Sequence, residues 1–187
     1  MSMPRLVGFC GYARVGKDTA AEQVKTRIKN YAFEIMGYAD ALKSDLDLCV
    51  QWAKKHGIDT TTDRFKEIIR PMYVLWSRVA KDLAEDDGIW VERLSPKITM
   101  CRKFDTVPLI KDVRYFYEID DILARNGMVI FIDRPGFGPK NDEEFNSFLL
   151  IKEKYSHLIK TNTIINDSTI DDLGKKVVEF METRCLF

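Results

Sequence analysis

The stretch that decides the fold of this chain is residues 6–19, which read LVGFCGYARVGKDT. Its first five residues are apolar and predict a short, fully buried strand. Gly11 to Lys17 then match the pattern GxxxxGK, and an amphipathic helical segment follows directly. A glycine-rich loop between a buried strand and a helix turns its backbone N–H groups inward, where they bind phosphate oxygens. The stretch therefore predicts a phosphate-binding loop.

The loop ends at Lys17, whose ammonium group is expected to reach the phosphates. In the common form of the motif a Ser or Thr follows, and its hydroxyl group meets Mg²⁺. Here Asp18 follows and Thr19 comes one residue later, which weakens the case for Thr19 as a metal ligand. Asp18 also fits a carboxylate that stabilises a helix N-terminus. The structural alternative for the whole motif is a glycine-rich turn with a surface lysine.

Beyond the loop, short apolar runs alternate with longer amphipathic stretches. Further strands are predicted at 33–38, 107–111, 128–133 and 163–166, and helices at 17–29, 41–56, 64–85, 115–126 and 170–183. The predicted inward faces of the last two helices are Phe116, Ile119 and Leu123, and Ile170, Leu173, Val177 and Phe180. The alternation predicts a three-layer α/β fold in one domain, with a five-stranded parallel sheet and helices on both faces.

Two segments stand apart from this alternation. The block of about 41–100 contains no strand candidate and is interpreted as a helical insertion beside the sheet. The segment from Arg134 onward reads RPGFGPKND and is rich in turn-forming residues. It is predicted to be a mobile lid of about 134–145. Ligands are expected at the C-terminal ends of the parallel strands.

Composition and charge exclude several classes of protein. The 187 residues include 29 Lys and Arg and 29 Asp and Glu, without the basic excess typical of nucleic-acid binding. The longest apolar runs, 6–10 and 128–132, are far shorter than the ~20 residues that span a bilayer. The cysteines are widely separated and form no CxxC pair: Cys10, Cys49, Cys101 and Cys185. We therefore expect reduced thiols in a cytoplasmic protein, without a zinc site.

An acidic residue stands at the end of the predicted strand 107–111. In a protein with a phosphate-binding loop, Asp112 at this place is expected to hold a magnesium ion, or a water bound to it. Asp112 is 95 residues after Lys17, so only the fold can bring the two together. The alternative is an aspartate that caps a turn.

Six segments in this order resemble the phage-type deoxynucleoside monophosphate kinases, and the resemblance covers nearly the whole chain. They are Gly11–Thr19, YADALK at 38–43, Trp90-Val91, Asp112-Val113-Arg114 with Glu118, Arg134-Pro135-Gly136, and INDS at 165–168. The loop is shared with a vast superfamily, whereas the joint occurrence of ADxLK, DVR and the late Asn-Asp is more specific. Kinases that act on phosphomevalonate or dephospho-coenzyme A share parts of the pattern.

The resemblance implies a kinase that uses ATP and Mg²⁺ and binds a nucleoside monophosphate in the helical insertion. It places the catalytic roles on Lys17, Asp112 and Arg134, with Asp112 holding the metal through water and Thr19 as a second candidate ligand. The ATP-binding residues would be Gly11, Arg14, Gly16, Lys17, Asp18, Thr19, Arg134, Asn166 and Asp167. The acceptor-binding residues would be Asp40, Lys43, Arg70 and Arg114.

Each of these assignments has a structural alternative. Lys43 fits a solvated helix residue, Arg70 and Arg78 fit ion pairs, and Asn166 fits a turn residue. Arg114 and Glu118 are four residues apart and could pair with each other on a helix surface. For function, the alternatives are another small-molecule kinase of the same fold and a nucleotide-binding regulator without turnover. No nucleic-acid or membrane partner is expected, and a homodimer is left open.

Overall fold

The computed structural model describes residues 6–185, without the side chain of Cys185. Strands alternate with helices along most of this range. The elements are β1 (Val7–Cys10), α1 (Lys17–Arg27), β2 (Ala32–Met36), α2 (Tyr38–Asp45), α3 (Asp47–Lys55), α4 (Asp63–Ala84), α5 (Ile89–Lys103), β3 (Thr106–Val113), α6 (Phe116–Ala124), β4 (Met128–Asp133), α7 (Asp142–Asn162), β5 (Thr163–Ile165) and α8 (Ile170–Cys185). The predicted α/β fold class is confirmed.

The five strands form one parallel sheet in the order β2-β3-β1-β4-β5. The central strand β1 pairs with two neighbours, and Val7 lies opposite both Leu109 of β3 and Met128 of β4. The C-terminal ends of parallel strands meet at one edge of the sheet. The loop that follows β1 therefore opens at the edge where β3 and β4 also end.

Both faces of the sheet are covered by helices. Successive residues of β1 point to opposite faces, so they show which helices pack on each side. Val7 and Phe9 are fully buried in the core that α1 and α8 complete with Val24 and Val177. Gly8 faces the other way, where a Cβ atom would lie 2.4 Å from Cδ1 of Ile122 on α6. Gly8 is thus the residue that lets α6 approach the sheet closely.

The chain divides into two compact units, one of residues up to Gly37 together with those from Pro96 onward, and one of Tyr38–Ser95. The first unit holds the sheet. In the second unit, none of residues 38–95 lies in a strand. Asp45 ties its helices together, since it accepts hydrogen bonds from Trp76 Nε1 at 2.9 Å and from Arg93. The hydrogen bond from Arg93 lowers the pKa of Asp45.

The structure corrects several predicted boundaries. The helix predicted at 41–56 is two helices, because Leu46 adopts a ψ of +11°, close to the bridge region. The strand predicted at 33–38 ends at Met36, since α2 already begins at Tyr38. A helix break of one residue between segments of similar composition does not change the hydrophobic periodicity, so the pattern could not predict it.

Two predicted inward faces are also corrected. On α6 the buried apolar residues are Ile119 and Ile122, whereas Phe116 is 37% exposed. On α8, Leu173 and Val177 are buried as expected, but Ile170 is 64% exposed because it stands at the first position of the helix, at the margin of the core. Among residues 6–185, no helix has the length and apolar character needed to cross a membrane.

Candidate functional site

The loop between β1 and α1 has a backbone that requires its glycines. Gly11 has a φ of +144° and Gly16 a φ of +103°, values that residues other than glycine rarely adopt. A Cβ atom on Gly11 would lie 2.3 Å from the carbonyl oxygen of Ile132, and one on Gly16 would lie 2.7 Å from Nδ2 of Asn166. Arg14 also has a positive φ, of +68°. The loop is therefore a tight turn held against the ends of β4 and β5.

Lys17 is buried beneath this loop, with 7% of its surface exposed. Its Nζ donates hydrogen bonds to the carbonyl oxygens of Gly11 and Tyr12, both at 2.7 Å. Burial lowers the pKa of the Lys17 ammonium, and the positive charge of Arg114 lowers it further. The alternative of a glycine-rich turn with a surface lysine is therefore wrong.

A cavity of about 370 Å³ opens beside the loop. Its walls come from the loop, from the start of α1, from the end of β4 and from the segment after β5. The lining residues are Arg14, Gly16, Lys17, Asp18, Thr19, Arg134, Asn166, Ser168, Ile170 and Leu173. The structure thus brings together seven of the nine residues predicted to bind ATP. Sequence reasoning missed Ser168, and it expected Ile170 in the core, whereas Ile170 lines this cavity.

Asn166 connects the loop to the sheet. Its Nδ2 donates a hydrogen bond to the carbonyl oxygen of Val15 at 2.8 Å, and its backbone N–H donates to the carbonyl oxygen of Asp133 at 2.7 Å. The next residue, Asp167, does not line the cavity. Its carboxylate binds Lys176 Nζ at 2.6 Å, and this hydrogen bond lowers the pKa of Asp167.

Arg134 is the first residue after β4, and it lines the cavity. Pro135 and Gly136 follow it, and the φ of +83° at Gly136 fits a type II turn closed by the Phe137 N–H on the Arg134 carbonyl oxygen at 3.0 Å. The guanidinium group lies 4.5 Å from the centroid of the Phe137 ring. This cation–π contact holds the exposed arginine at the mouth of the cavity.

Asp112 lies near the C-terminal end of β3 and packs against Gly37. A Cβ atom on Gly37 would lie 2.6 Å and 2.7 Å from the two carboxylate oxygens of Asp112, so the absence of a side chain at Gly37 makes room for this group. Asp112 does not line the cavity that Lys17 lines. Within the described part of the chain, no cluster of three or more His, Cys, Asp or Glu residues could hold a metal ion.

Glu118 anchors the loop that joins β3 to α6. Its buried carboxylate accepts hydrogen bonds from the backbone N–H of Arg114 at 2.5 Å and of Tyr115 at 3.0 Å. Arg114 lies before the helix with its side chain exposed. The alternative of an Arg114–Glu118 pair on a helix surface is therefore wrong, because Glu118 binds the backbone and points inward. Burial, reinforced by the charge of Asp112, raises the pKa of Glu118 to about 8 against the opposing effect of these hydrogen bonds.

This pKa predicts a pH dependence of stability. A carboxyl group whose pKa is higher in the folded than in the unfolded state binds its proton more tightly when folded. Its stabilising effect is complete below the unfolded pKa of about 4.5 and is lost as the pH rises through about 8. We expect the free energy of unfolding to fall by up to about 1.4 kcal/mol per pH unit between these values from this group.

Urea denaturation at several pH values measures this dependence in the wild type, in Glu118→Gln and in Glu182→Gln. Glu182 is exposed on α8, so its variant should keep the slope of the wild type, whereas Glu118→Gln should flatten it. Equal slopes in all three proteins would show that Glu118 is ionised in the folded protein.

The residues predicted to bind the acceptor lie mostly in the unit Tyr38–Ser95. Asp40 and Lys43 form an ion pair at 3.6 Å on α2, with both side chains well exposed. Arg70 is exposed on α4, as is Arg78, and neither forms an ion pair with a residue in the described range. The ion-pair alternative for these two arginines is therefore wrong. Arg114 belongs to the unit that holds the sheet.

Comparisons with known proteins find similar solved structures but no matching family. No family model matches the chain, and no curated protein matches it. Among solved structures, the chain is similar to the shikimate kinase of Aquifex aeolicus, with 14% sequence identity and a TM-score of 0.42. The similarity covers 95% of this chain and 96% of that one.

Proposed function

We propose that the chain is a kinase that transfers a phosphoryl group from ATP, with Mg²⁺, to a deoxynucleoside monophosphate. The observation that carries the proposal is the loop of residues 11–17, with its left-handed glycines and the buried Lys17 at the start of α1. Backbone N–H groups, a helix N-terminus and a lysine together make a site for the phosphates of a nucleotide. Phosphoryl transfer needs positioning and neutralised charge more than it needs a nucleophilic side chain.

The cavity beside the loop suits the rest of the nucleotide. Its volume of about 370 Å³ falls within the range of small-molecule sites. Arg14, Lys17 and Arg134 bring positive charge, whereas Ile170 and Leu173 give an apolar wall. We assign the donor nucleotide to this cavity, with Arg134 meeting its phosphates or its base.

The carboxylate of Asp112 and the hydroxyl of Thr19 fit a magnesium ion by the chemistry of their oxygen donors. Mg²⁺ in such sites takes most of its ligands from water and substrate phosphates, and only one or two from carboxylates, so a site without an acidic cluster is consistent with it. Asp112 would hold the ion, directly or through water, with Thr19 as the second candidate. When bound, the ion would neutralise charge on the transferred phosphoryl group.

The acceptor monophosphate carries close to two negative charges, so its site needs cations. We assign this role to Arg114 of the unit that holds the sheet, while the assignments of Lys43, Arg70 and the anionic Asp40 to the acceptor stay predictions. Kinases acting on other phosphorylated metabolites would share every residue on the ATP side, so an assay of acceptors distinguishes them. No general base is required, because the attacking phosphate oxygen is already ionised.

A coupled assay for ADP release tests the function and separates these acceptors. The screen should include all deoxynucleoside and ribonucleoside monophosphates, dephospho-coenzyme A and phosphomevalonate. We expect turnover with at least one deoxynucleoside monophosphate and none without Mg²⁺. ATP binding without ADP release for any acceptor would instead favour a nucleotide-binding regulator.

Replacing Arg114 by Lys tests the acceptor side. The planar guanidinium group binds a phosphate through two parallel hydrogen bonds, which a lysine cannot reproduce. We expect a higher KM for the acceptor, a nearly unchanged KM for ATP and a loss of about 1.5–3 kcal/mol in kcat/KM, or roughly ten- to a hundredfold. Kinetics with both substrates should be compared with Arg184→Lys, an exposed arginine of α8. Unchanged kinetics in Arg114→Lys would remove this residue from the site.

A further inference from the structure

At the tip of the phosphate-binding loop, a backbone N–H group binds a carboxylate from elsewhere in the chain. The backbone N–H of Ala13 donates a hydrogen bond to Oε1 of Glu144 at 2.7 Å, across 131 residues of chain. Ala13 lies between Gly11 and Gly16, in the part of the loop whose N–H groups turn toward an anion. A carboxylate resembles a phosphate in charge and in its acceptor oxygens. In this structure the loop therefore already binds an anion, one that belongs to the protein itself.

The first turn of α7 presents this carboxylate in a fixed position. The backbone N–H of Glu144 donates to Oδ1 of the N-cap residue Asn141 at 2.9 Å, and Oε2 of Glu144 accepts from the N–H of Lys140 at 2.6 Å. One carboxylate oxygen thus faces the segment before α7 and the other faces the loop. A ligand that takes the Ala13 N–H from Oε1 would leave the hydrogen bond to Lys140 intact.

Lys17 is also engaged within the loop, because both of its described hydrogen bonds go to loop carbonyl oxygens. The charge of Glu144 acts on both sides of the tip. It adds to the rise in the pKa of Tyr12 that burial causes, and it opposes part of the fall in the pKa of Lys17 that burial causes. A second anion that enters the loop would meet this negative charge at close range.

We propose that Glu144 is an internal competitor for the phosphate site, whose carboxylate the phosphates of a ligand must displace from the Ala13 N–H. The inference deepens the proposed function, on which it rests for the identity of the loop's ligand as a phosphate ester. Glu144 lowers the affinity of the loop for phosphate groups.

Isothermal titration of the full chain with ATP and with inorganic tripolyphosphate tests this competition at one fixed ionic strength. Glu144→Gln keeps an oxygen for the Ala13 N–H but removes the charge, and Glu144→Ala removes both. A hydrogen bond to a charged acceptor is about twice as strong as a neutral one, so we expect Kd for both ligands to fall about tenfold in Glu144→Gln and at least as much in Glu144→Ala. Tripolyphosphate lacks base and ribose, so its response reports on the loop alone.

The matched control is Asp142→Asn. Asp142 lies in the same first turn of α7 and is exposed, so its loss changes the net charge and the helix terminus equally while Glu144 stays in place. Its Kd values should remain within about twofold of the wild type, since exposed charges are screened. Melting curves by circular dichroism check that each variant is folded.

A Kd that is unchanged or higher in Glu144→Gln would overturn the inference, because a purely structural tie between the loop and α7 would weaken binding when broken. Binding by Glu144→Gln where the wild type binds nothing measurable would support it. The proposed function fails separately, if ATP binds but no monophosphate acceptor releases ADP. In that case a fall in Kd would still establish Glu144 as the competing anion.

Discussion

Replacing Lys17 by Met is expected to lower turnover by roughly a hundred- to a thousandfold, the range seen when one stabilising donor is removed from an active site. The Lys17 ammonium is the buried cation of the loop, and its partners are the carbonyl oxygens of Gly11 and Tyr12. An entering phosphate group would offer the same ammonium a charged acceptor. Met has a similar length and no charge, so the side chain still fills its place beneath the loop.

Steady-state ADP release and ATP titration measure this effect, with Lys25→Met as the matched control. Lys25 lies on the same helix α1, but its side chain is exposed and only loosely paired with Glu34 at 3.9 Å. The control should retain wild-type turnover, and both variants should melt cooperatively. A Lys17→Met protein with near wild-type turnover would refute the assignment of the loop as the phosphate site.

Replacing Gly11 by Ala is expected to destabilise the folded state by roughly 3–5 kcal/mol, because backbone strain and overpacking add. The φ of +144° at Gly11 is unfavourable for any side chain, and the Cβ atom would lie 2.3 Å from the Ile132 carbonyl oxygen. That oxygen belongs to β4 and cannot move without disturbing the sheet. At this chain length the melting temperature should fall by roughly 6–20 °C.

The control for Gly11 is Gly138→Ala. No atom lies within 4 Å of a Cβ built on Gly138, and its φ is not in the left-handed region, so its free energy of unfolding should stay within about 0.5 kcal/mol of the wild type. Urea denaturation compares the two variants with the wild type. If Gly11→Ala were as stable as Gly138→Ala, the close approach of the loop to β4 would be wrong.

The fold class could be predicted because its signals are local. The apolar run before Gly11, the GxxxxGK pattern and the amphipathic residues after it specify a strand, a tight loop and a helix within about twenty residues. The same periodicity located β4 to the residue and β5 to within one. It did not predict the break between α2 and α3, which depends on the backbone of the single residue Leu46. It also did not predict the exposure of Ile170, which lies at a helix terminus at the margin of the core.

The candidate site was predicted only in part, for a related reason. The loop motif indicated Lys17 as a phosphate ligand and the family resemblance indicated Arg134, and both residues line the same cavity. Neither could indicate that Glu118 turns inward to bind backbone N–H groups. The same spacing of four residues fits a surface ion pair equally well, and only the packing of α6 on the sheet separates the two.

The sequence by itself therefore determined the strands, most of the helices and the tight glycine-rich loop of residues 11–17, since each depends on hydrogen bonds and side-chain periodicity among near neighbours. The tertiary structure alone decided which distant groups meet that loop. Asn166 reaches Val15 across 151 residues and Glu144 reaches Ala13 across 131. Such contacts depend on the order of strands in the sheet and on where each following helix begins. These are set by the burial of the whole core, which no local stretch of residues encodes.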